Sequence, residues 1–149
     1  MSATGTDVKI RPVTELDISS IVRIDEKVSG KYRPEEWERR IAYYLRRDPE
    51  SSQAAEVKGR VVGFMLGEVR SGEFGLEEPT GWIEVLGVDP AERKRGLGRL
   101  LAEAMTAHFK AKGARTVRTL VDTRMAEIGK FFESMGLKSS SIRVYEMPL

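Results

Sequence analysis

The pattern of apolar and polar residues along the chain predicts α-helices and β-strands that follow one another in a single continuous series. The strand-like runs lie at residues 8–13, 54–57, 61–69, 82–88 and 117–121. Apolar residues at helical spacing predict helices that begin near Asp17, Pro34, Leu97 and Met125. From residue 137 onward one or two further short strands are expected. The predicted order is therefore β-α-α-β-β-β-α-β-α-β(-β), which is α/β, or α+β by some schemes.

Composition places this pattern in a single compact domain. The 149 residues suffice for one domain, and we expect a flexible tail over residues 1–7 followed by the domain over 8–149. The chain has no cysteine and one histidine, so we expect neither a thiolate nor a metal site. A net charge of +2 is too mild to predict nucleic-acid binding. No apolar run approaches a membrane span or a signal peptide, which predicts a cytoplasmic protein without a membrane partner.

A basic, glycine-containing turn follows the apolar run 82–88 and precedes the longest predicted helix. It reads Arg93-Lys94-Arg95-Gly96-Leu97-Gly98, with Arg99 next. A helix N-terminus leaves backbone N–H groups unpaired and carries partial positive charge, and glycines let a ligand approach the backbone closely. The pattern therefore indicates a site for a phosphate or pyrophosphate, although a basic turn that merely caps a surface helix has a similar sequence.

The spacing of the glycines narrows the choice among known phosphate-binding motifs. The third glycine of a dinucleotide fingerprint is replaced by Leu101, and no P-loop ending is present. What remains is R-x-x-G-x-G on Arg93, Gly96 and Gly98, which resembles the pyrophosphate loop of the GNAT superfamily of acyl-CoA-dependent N-acetyltransferases. The predicted element order is similar to the GNAT fold over nearly the whole chain. The segment 131–137 also resembles part of the last GNAT helix and its glycine end.

The resemblance implies acetyl-CoA as co-substrate, a primary amine as acceptor and no metal. In this family the strand before the loop diverges from its neighbour and pairs with the pantetheine arm. The residues expected to bind acetyl-CoA are Leu86, Gly87, Val88, Arg93, Lys94, Arg95, Gly96, Leu97, Gly98 and Arg99. A bulge or a close backbone approach would explain a glycine inside the strand at Gly87, and packing under a large neighbour is the competing explanation.

Glu84 is the candidate general base. It interrupts an apolar strand, and alternation places it on the face of Trp82 and Leu86. Apolar neighbours would raise the pKa of this carboxyl toward neutrality, which suits a group that accepts a proton from an amine. Similar family members carry a glutamate at the matching position. The alternative is a solvent-facing carboxylate, or one paired with an arginine.

The chain departs from the family pattern at two positions. The tyrosine that often protonates the leaving thiolate would fall at Phe132, and an asparagine seven residues earlier would fall at Met125. Tyr145 is an alternative candidate acid, with packing in a strand as its other role. These departures also leave open a non-catalytic, regulatory domain that binds acyl-CoA.

The acceptor is not identified by the sequence. Tyr32 and Tyr43 lie on the helix pair that borders the acceptor site in GNAT proteins, whereas Trp37 and Tyr44 are expected in the core. Acidic residues at 73, 77 and 78 are candidates for attracting a cationic amine. His108 is expected to be a partly buried structural residue. A homodimer, common in the family, stays open.

Overall fold

The computed structural model describes residues 7–71 and 78–149, which fall into two compact units, Met1–Thr119 and Leu120–Leu149. In the described part of the chain, the first unit holds a five-stranded sheet and three α-helices of 12 to 15 residues. Its strands are β1 Val8–Pro12, β2 Gln53–Val57, β3 Arg60–Arg70, β4 Thr80–Val88 and β5 Thr116–Thr119. Its helices are α1 Ile18–Ser29, α2 Pro34–Arg47 and α3 Leu97–Ala111, and the second unit contains α4 Ala126–Ser134.

The sheet follows chain order, β1-β2-β3-β4-β5, and confirms the predicted mixed α/β architecture. Neighbouring strands are antiparallel except β4 and β5, which are parallel and joined through α3. Parallel neighbours need such a crossover because the chain must return to the same end of the sheet. The predicted turn between β2 and β3 is present at Lys58 and Gly59, whose φ angles are both positive, as a two-residue hairpin of this type requires.

One face of the sheet is covered by α1 and α2. Their apolar sides pack with side chains of β3 into a single buried cluster. The ring of Trp37 meets Phe64 edge to face, with centroids 5.5 Å apart. Trp37 also donates its Nε1 hydrogen to Asp25 Oδ2 at 2.8 Å, so its polar atom is satisfied inside the core. Trp37 and Tyr44 are therefore core residues, as predicted.

The opposite face is covered by α3. Three strand glycines lie under its apolar side chains: Gly63, Gly67 and Gly81. A Cβ added to these glycines would meet Leu101, Met105 and Phe109, respectively. Small residues on the sheet thus let the helix approach the strands closely, and Leu101, Met105 and Phe109 are fully buried as a result.

Several predicted details are wrong. No strand forms in residues 137–149. Charged residues there occupy odd positions, such as Arg143, as well as even positions, such as Glu146, so neither face of a strand would be apolar enough to bury. β5 ends at Thr119 rather than at residue 121. Asp17 occupies the N-cap position of α1 but makes no capping bond, because its carboxylate instead accepts hydrogen bonds from Arg11 and from the backbone N–H of Thr14.

Most of the predicted tail lies outside the described residues, as do Glu73 and Glu77 of the acidic loop. Within the described part of the chain, no helix is both long and apolar enough to span a membrane. The assignment of residues 8–149 to one domain stays a prediction.

Candidate functional site

Strand β4 contains a bulge at the residue predicted to act as the base. Leu66 of β3 lies opposite Val85, whereas the next residue, Gly67, lies opposite Ile83. Glu84 is therefore an extra residue that no residue of β3 opposes. The bulge also reverses the alternation beyond it, so that Val85, and not Leu86, shares a sheet face with Trp82. The expectation that Leu86 lies beside Glu84 on one face is thus wrong.

β4 also loses one of its two neighbours at this point. Its parallel pairing with β5 runs only from Thr80 with Thr116 to Ile83 with Thr119. Its antiparallel pairing with β3 continues to Val88. Among the described residues of the first unit, no strand pairs with this edge of β4 from Glu84 to Val88, and alternate residues present backbone N–H and C=O groups there. This is the divergence that the resemblance implied for Leu86, Gly87 and Val88.

The explanation of Gly87 is packing. This glycine pairs in regular register with Phe64, and a Cβ on it would lie 2.5 Å from both Cε1 and Cζ of that ring. The prediction of a bulge at Gly87 is wrong, since the bulge lies three residues earlier.

The end of β4 leads into the N-terminus of α3. Residues Pro90–Arg95 form a 3₁₀ segment, and Gly96 then adopts φ +71°, a left-handed conformation that glycine adopts without strain. Gly96 is the N-cap of α3 and supplies no capping side chain, while its carbonyl accepts the first helical hydrogen bond from Leu100. The N–H groups of Leu97 and Gly98 precede this first helical bond and lie at the positive end of the helix dipole, the arrangement that binds anions.

The basic residues of this turn differ in their surroundings. Arg93 and Lys94 are exposed, and in the described part of the chain neither forms an ion pair. Arg95 Nε lies 2.6 Å from Glu92 Oε1 and its Nη1 lies 3.9 Å from Asp7 Oδ2. Leu97 is buried and anchors the helix, so its side chain is structural. Arg93 and Lys94 are therefore the residues best placed to meet a ligand phosphate.

Asp89 connects the start of the 3₁₀ segment to other elements of the first unit. Its buried carboxylate accepts hydrogen bonds from the backbone N–H of Ala91 at 3.0 Å, from Lys27 Nζ at 3.0 Å and from Arg60 Nη2 at 3.3 Å. Burial alone would raise the pKa of Asp89, but the hydrogen bonds from Ala91 and Lys27 outweigh it and hold the pKa below its ordinary value. The carboxylate thus links α1, β3 and the 3₁₀ segment.

Glu84 itself sits among polar partners and not among apolar side chains as the sequence argument assumed. Its Oε2 lies 2.6 Å from Arg70 Nη2, and its Oε1 accepts a hydrogen bond of 3.0 Å from the Tyr44 hydroxyl. Burial and the adjacent Glu84 charge raise the pKa of Tyr44, so this hydroxyl remains a proton donor to the carboxylate. The structure thus agrees with the alternative given for Glu84, an exposed carboxylate paired with an arginine. Sequence reasoning did not identify Arg70 as that arginine and missed Tyr44, although Glu68, which likewise interrupts an apolar strand, was a signal of a polar cluster.

The two candidate acceptor-site tyrosines occupy separate places. Tyr32 lies between α1 and α2 and on neither helix, so its predicted position on the helix pair is wrong. It is exposed and lines a groove of about 540 Å³ beside α1, with Glu15, Glu26 and Glu38 also in its wall. Tyr43 lies on α2, roughly 13 Å along the helix from Pro34, and its hydroxyl donates to Glu68 Oε2 at 2.8 Å. The structure does not bring Tyr32 and Tyr43 together.

The remaining candidates have simple surroundings. Tyr145 is 88% exposed and belongs to no strand, so the packing role expected for it is wrong. Phe132, at the position of the family tyrosine, is 5% exposed and packs edge-on against Phe131. His108 is partly buried, and its Nε2 lies 2.7 Å from Asp48 Oδ2, in line with a structural role. Glu78 pairs with Arg115 at 3.4 Å.

Comparison with known proteins identifies the family to which the chain belongs. The sequence profile of the Acetyltransferase (GNAT) family matches residues 18–137, so the chain belongs to this family. Over 97 residues it is 36% identical to mycothiol acetyltransferase of Thermobispora bispora, a match that covers 65% of this chain and 33% of that protein. The chain thus spans about a third of the length of that relative.

Solved structures share the fold over nearly the whole chain. The aminoglycoside N-acetyltransferase AAC(6')-Iy in complex with CoA superposes with a TM-score of 0.81 at 17% identity, covering 95% of this chain and 94% of that one. Ard1 from Thermoplasma volcanium gives a TM-score of 0.76 at 27% identity, covering 91% of this chain and 85% of that one.

Proposed function

We propose that the protein transfers an acetyl group from acetyl-CoA to a primary amine, with Glu84 as the general base. One observation carries the proposal. β4 loses β5 as a neighbour directly after Ile83, next to the bulge that presents Glu84, and the open stretch runs on into the uncapped N-terminus of α3. An open backbone edge suits the amides of a pantetheine arm, an anion site suits a pyrophosphate, and an adjacent carboxylate suits the proton of an attacking amine.

The two ends of acetyl-CoA would use different parts of this site. The pyrophosphate fits the first-turn N–H groups of α3, where the helix dipole favours negative charge, and Arg93 and Lys94 add full charges. The amide groups of the pantetheine arm would pair with the open edge of β4 at Leu86, Gly87 and Val88. A CoA-bound structure of similar fold supports this assignment.

The chemistry is a direct transfer. The neutral amine nitrogen attacks the thioester carbonyl carbon, a C–N bond forms, and the C–S bond breaks with CoA leaving as its thiolate. The proton released by the amine passes to the Glu84 carboxylate. Backbone N–H groups at the open edge of β4 are the candidates to stabilise the negative charge that develops on the carbonyl oxygen.

Binding is tested by thermal unfolding with CoA. A ligand that binds only the folded state adds about 2.7 kcal/mol of stability at a hundredfold excess over its Kd. We expect a clear rise in Tm for the wild type and none for Gly98→Asp, because a carboxylate at this half-buried position of the first helical turn repels the phosphates. The absence of any rise in the wild type at millimolar CoA would refute the proposal.

Catalysis is tested by Glu84→Gln in a thiol-release assay against a panel of amines. Turnover should fall while the affinity for acetyl-CoA stays nearly unchanged, because the side chain handles the amine proton and not the phosphates. The loss should be smaller for an α-amine, with a pKa of about 8, than for a lysine amine near 10.4, which is rarely neutral at pH 7. Full activity of Glu84→Gln across the pH range would exclude this base.

A second candidate function is a regulatory domain that binds acyl-CoA without turnover. The phenyl ring of Phe132 at the position of the family tyrosine favours it, since a phenyl ring donates no proton to a leaving thiolate. Binding of acetyl-CoA with no thiol release over the whole amine panel would support this alternative.

A further inference from the structure

A row of hydrogen-bonded side chains joins α2 to β3 and β4 around the bulge. In order, its members are Arg47, Glu68, Arg70, Glu84 and Tyr44. The first four alternate in charge, and the last is the hydroxyl that contacts the candidate base. Because the members come from three elements, the row is assembled only when the first unit folds.

Glu68 is the fixed point of this row. It is 1% exposed, yet both of its oxygens are satisfied. Its Oε1 accepts from Arg47 Nε at 2.7 Å, and its Oε2 accepts from the Tyr43 hydroxyl at 2.8 Å and from Arg70 Nε at 3.2 Å. Burial alone would raise the pKa of Glu68, but the hydrogen bonds from Tyr43 and Arg47 outweigh it, so the pKa lies below its ordinary value. Glu68 therefore stays charged and holds Arg70.

Arg70 bridges the two carboxylates. Its Nη2 lies 3.2 Å from Glu68 Oε2 and 2.6 Å from Glu84 Oε2, and its guanidinium stacks 5.2 Å from the ring centre of Trp82. Its side chain is 28% exposed, so solvent screens the charge only in part. A planar guanidinium with several fixed donors suits this bridging geometry, which an ammonium cannot reproduce.

We propose that Arg70 is a positioning residue of the acetyl-transfer site: anchored by buried Glu68, it fixes, together with the Tyr44 hydroxyl, the direction in which the Glu84 carboxylate points toward the amine proton. This inference rests on the proposed function. Without these two donors, an exposed glutamate on a bulge would have many rotamers and no fixed direction.

The charges around Glu84 determine what each substitution does. The titratable and charged groups of the neighbouring elements are Arg40 and Tyr44 on α2, Glu68 and Arg70 on β3, and Arg118 on β5, which donates to Thr80. Arg70 is the cation among them that touches the carboxylate. Its removal would leave the carboxylate with the Tyr44 hydroxyl alone, whereas removal of the Glu68 charge would release Arg70 from its anchor.

The test is the separation of kcat from KM in steady-state kinetics of the full chain with an amine that it acetylates. Arg70→Met should lower kcat about tenfold or more while KM for acetyl-CoA stays near the wild-type value, because a misdirected base slows proton transfer without touching the phosphate site. Tyr44→Phe should lower kcat by less, because Arg70 still holds the carboxylate. Glu68→Gln should also lower kcat, because Arg70 loses its anchor.

Two further variants separate positioning from general damage. Arg70→Lys keeps the charge but not the fork, so it should restore only part of the kcat that is lost in Arg70→Met. Arg46→Met removes one cation from the exposed side of α2 and should leave kcat unchanged. A merely structural role of Arg70 would lower the Tm or the active fraction without changing the kcat of the folded, CoA-binding molecules.

Each outcome decides the inference. A lower kcat at an unchanged KM for acetyl-CoA in Arg70→Met, restored in part by Arg70→Lys, supports it. A wild-type kcat in a folded, CoA-binding Arg70→Met overturns it, and if that variant does not fold, a wild-type kcat in Tyr44→Phe does so. A wild type that releases no thiol with any amine refutes the proposed function, and this inference with it. Turnover in the wild type with an unchanged kcat in these variants removes the Arg70 assignment alone.

Discussion

At the scale of single residues, Gly87 is where β4 tolerates no side chain. A Cβ there would lie 2.5 Å from two carbons of the Phe64 ring, which is itself buried between α2 and the sheet. We predict that Gly87→Ala lowers the free energy of unfolding by about 1–3 kcal/mol, the usual cost of overpacking a core. Urea unfolding followed by circular dichroism measures the change.

Gly129→Ala is the matched control. Gly129 lies inside α4, and a Cβ on it would meet only Val121 Cγ1, at 3.9 Å. An alanine in a helix interior is favoured over glycine by about 0.5–1 kcal/mol, so this variant should be at least as stable as the wild type. Equal stabilities of Gly87→Ala and the wild type would show that Phe64 yields, and the packing explanation would fail.

Individual residues also show what the sequence reveals about the site. Glu84 was identifiable because a carboxylate interrupts an apolar strand, and the basic turn was identifiable from Arg93, Gly96 and Gly98. The partners of Glu84 were not, because Arg70 and Tyr44 lie 14 and 40 residues away along the chain. Contacts at such separations depend on the register of β3 with β4 and on the rotation of α2, which local patterns do not specify.

At the scale of elements, Asp89 connects the 3₁₀ segment to α1 and β3. Its side chain accepts three hydrogen bonds, two of them from cations. We predict that Asp89→Asn lowers the free energy of unfolding by about 1–3 kcal/mol, since hydrogen bonds to a charged group are lost. The affinity for CoA should fall as well, because the segment that leads to Gly96 is then held less firmly. Calorimetric titration and thermal unfolding measure the two effects.

Asp122→Asn controls for the loss of a paired aspartate as such. Asp122 is bonded to Arg124 at 2.7 Å, but this pair lies at the surface of the second unit. Exposed pairs contribute little, so both the Tm and the CoA affinity should be unchanged. If Asp89→Asn changed stability but left CoA affinity intact, Asp89 would support the fold without organising the phosphate turn.

The elements themselves were largely predictable, and their exceptions have local causes. Hydrophobic periodicity identified the helices, the hairpin and the strands through β5. The bulge at Glu84 was not visible, since one extra residue leaves the composition of an apolar strand unchanged. The strands predicted after residue 137 do not form, because charged residues occupy both odd and even positions there and leave no single face to bury.

At the scale of the whole molecule, buried and paired carboxylates make stability dependent on pH. Burial alone would raise the pKa of Asp17, Asp48, Glu68 and Asp89, but hydrogen bonds outweigh it and hold each below its ordinary value; in Asp25 the bond from Arg33 dominates and lowers the pKa directly. A lowered folded pKa means that the unfolded chain binds protons first as the pH falls.

We therefore predict that the free energy of unfolding is fully retained above about pH 5 and declines steadily as the pH falls below about 4. Chemical unfolding at pH 6, 4 and 3 measures this trend. Asp25→Asn should be less stable than the wild type at pH 6 and show a shallower decline. A wild-type stability that is constant down to pH 3 would contradict the assignment of these carboxylates as ionised and paired.

The central claim is that this member of the Acetyltransferase (GNAT) family acetylates amines at the site where β4 diverges from β5. The most direct measurement is mass spectrometry of an amine panel after incubation with acetyl-CoA, combined with quantification of free thiol in the same samples. We predict one acetyl amide formed for each thiol released with the wild type, a much slower reaction with Glu84→Gln, and none with Gly98→Asp. Thiol release without an acetylated amine, or no product with any amine despite CoA binding, would contradict the claim.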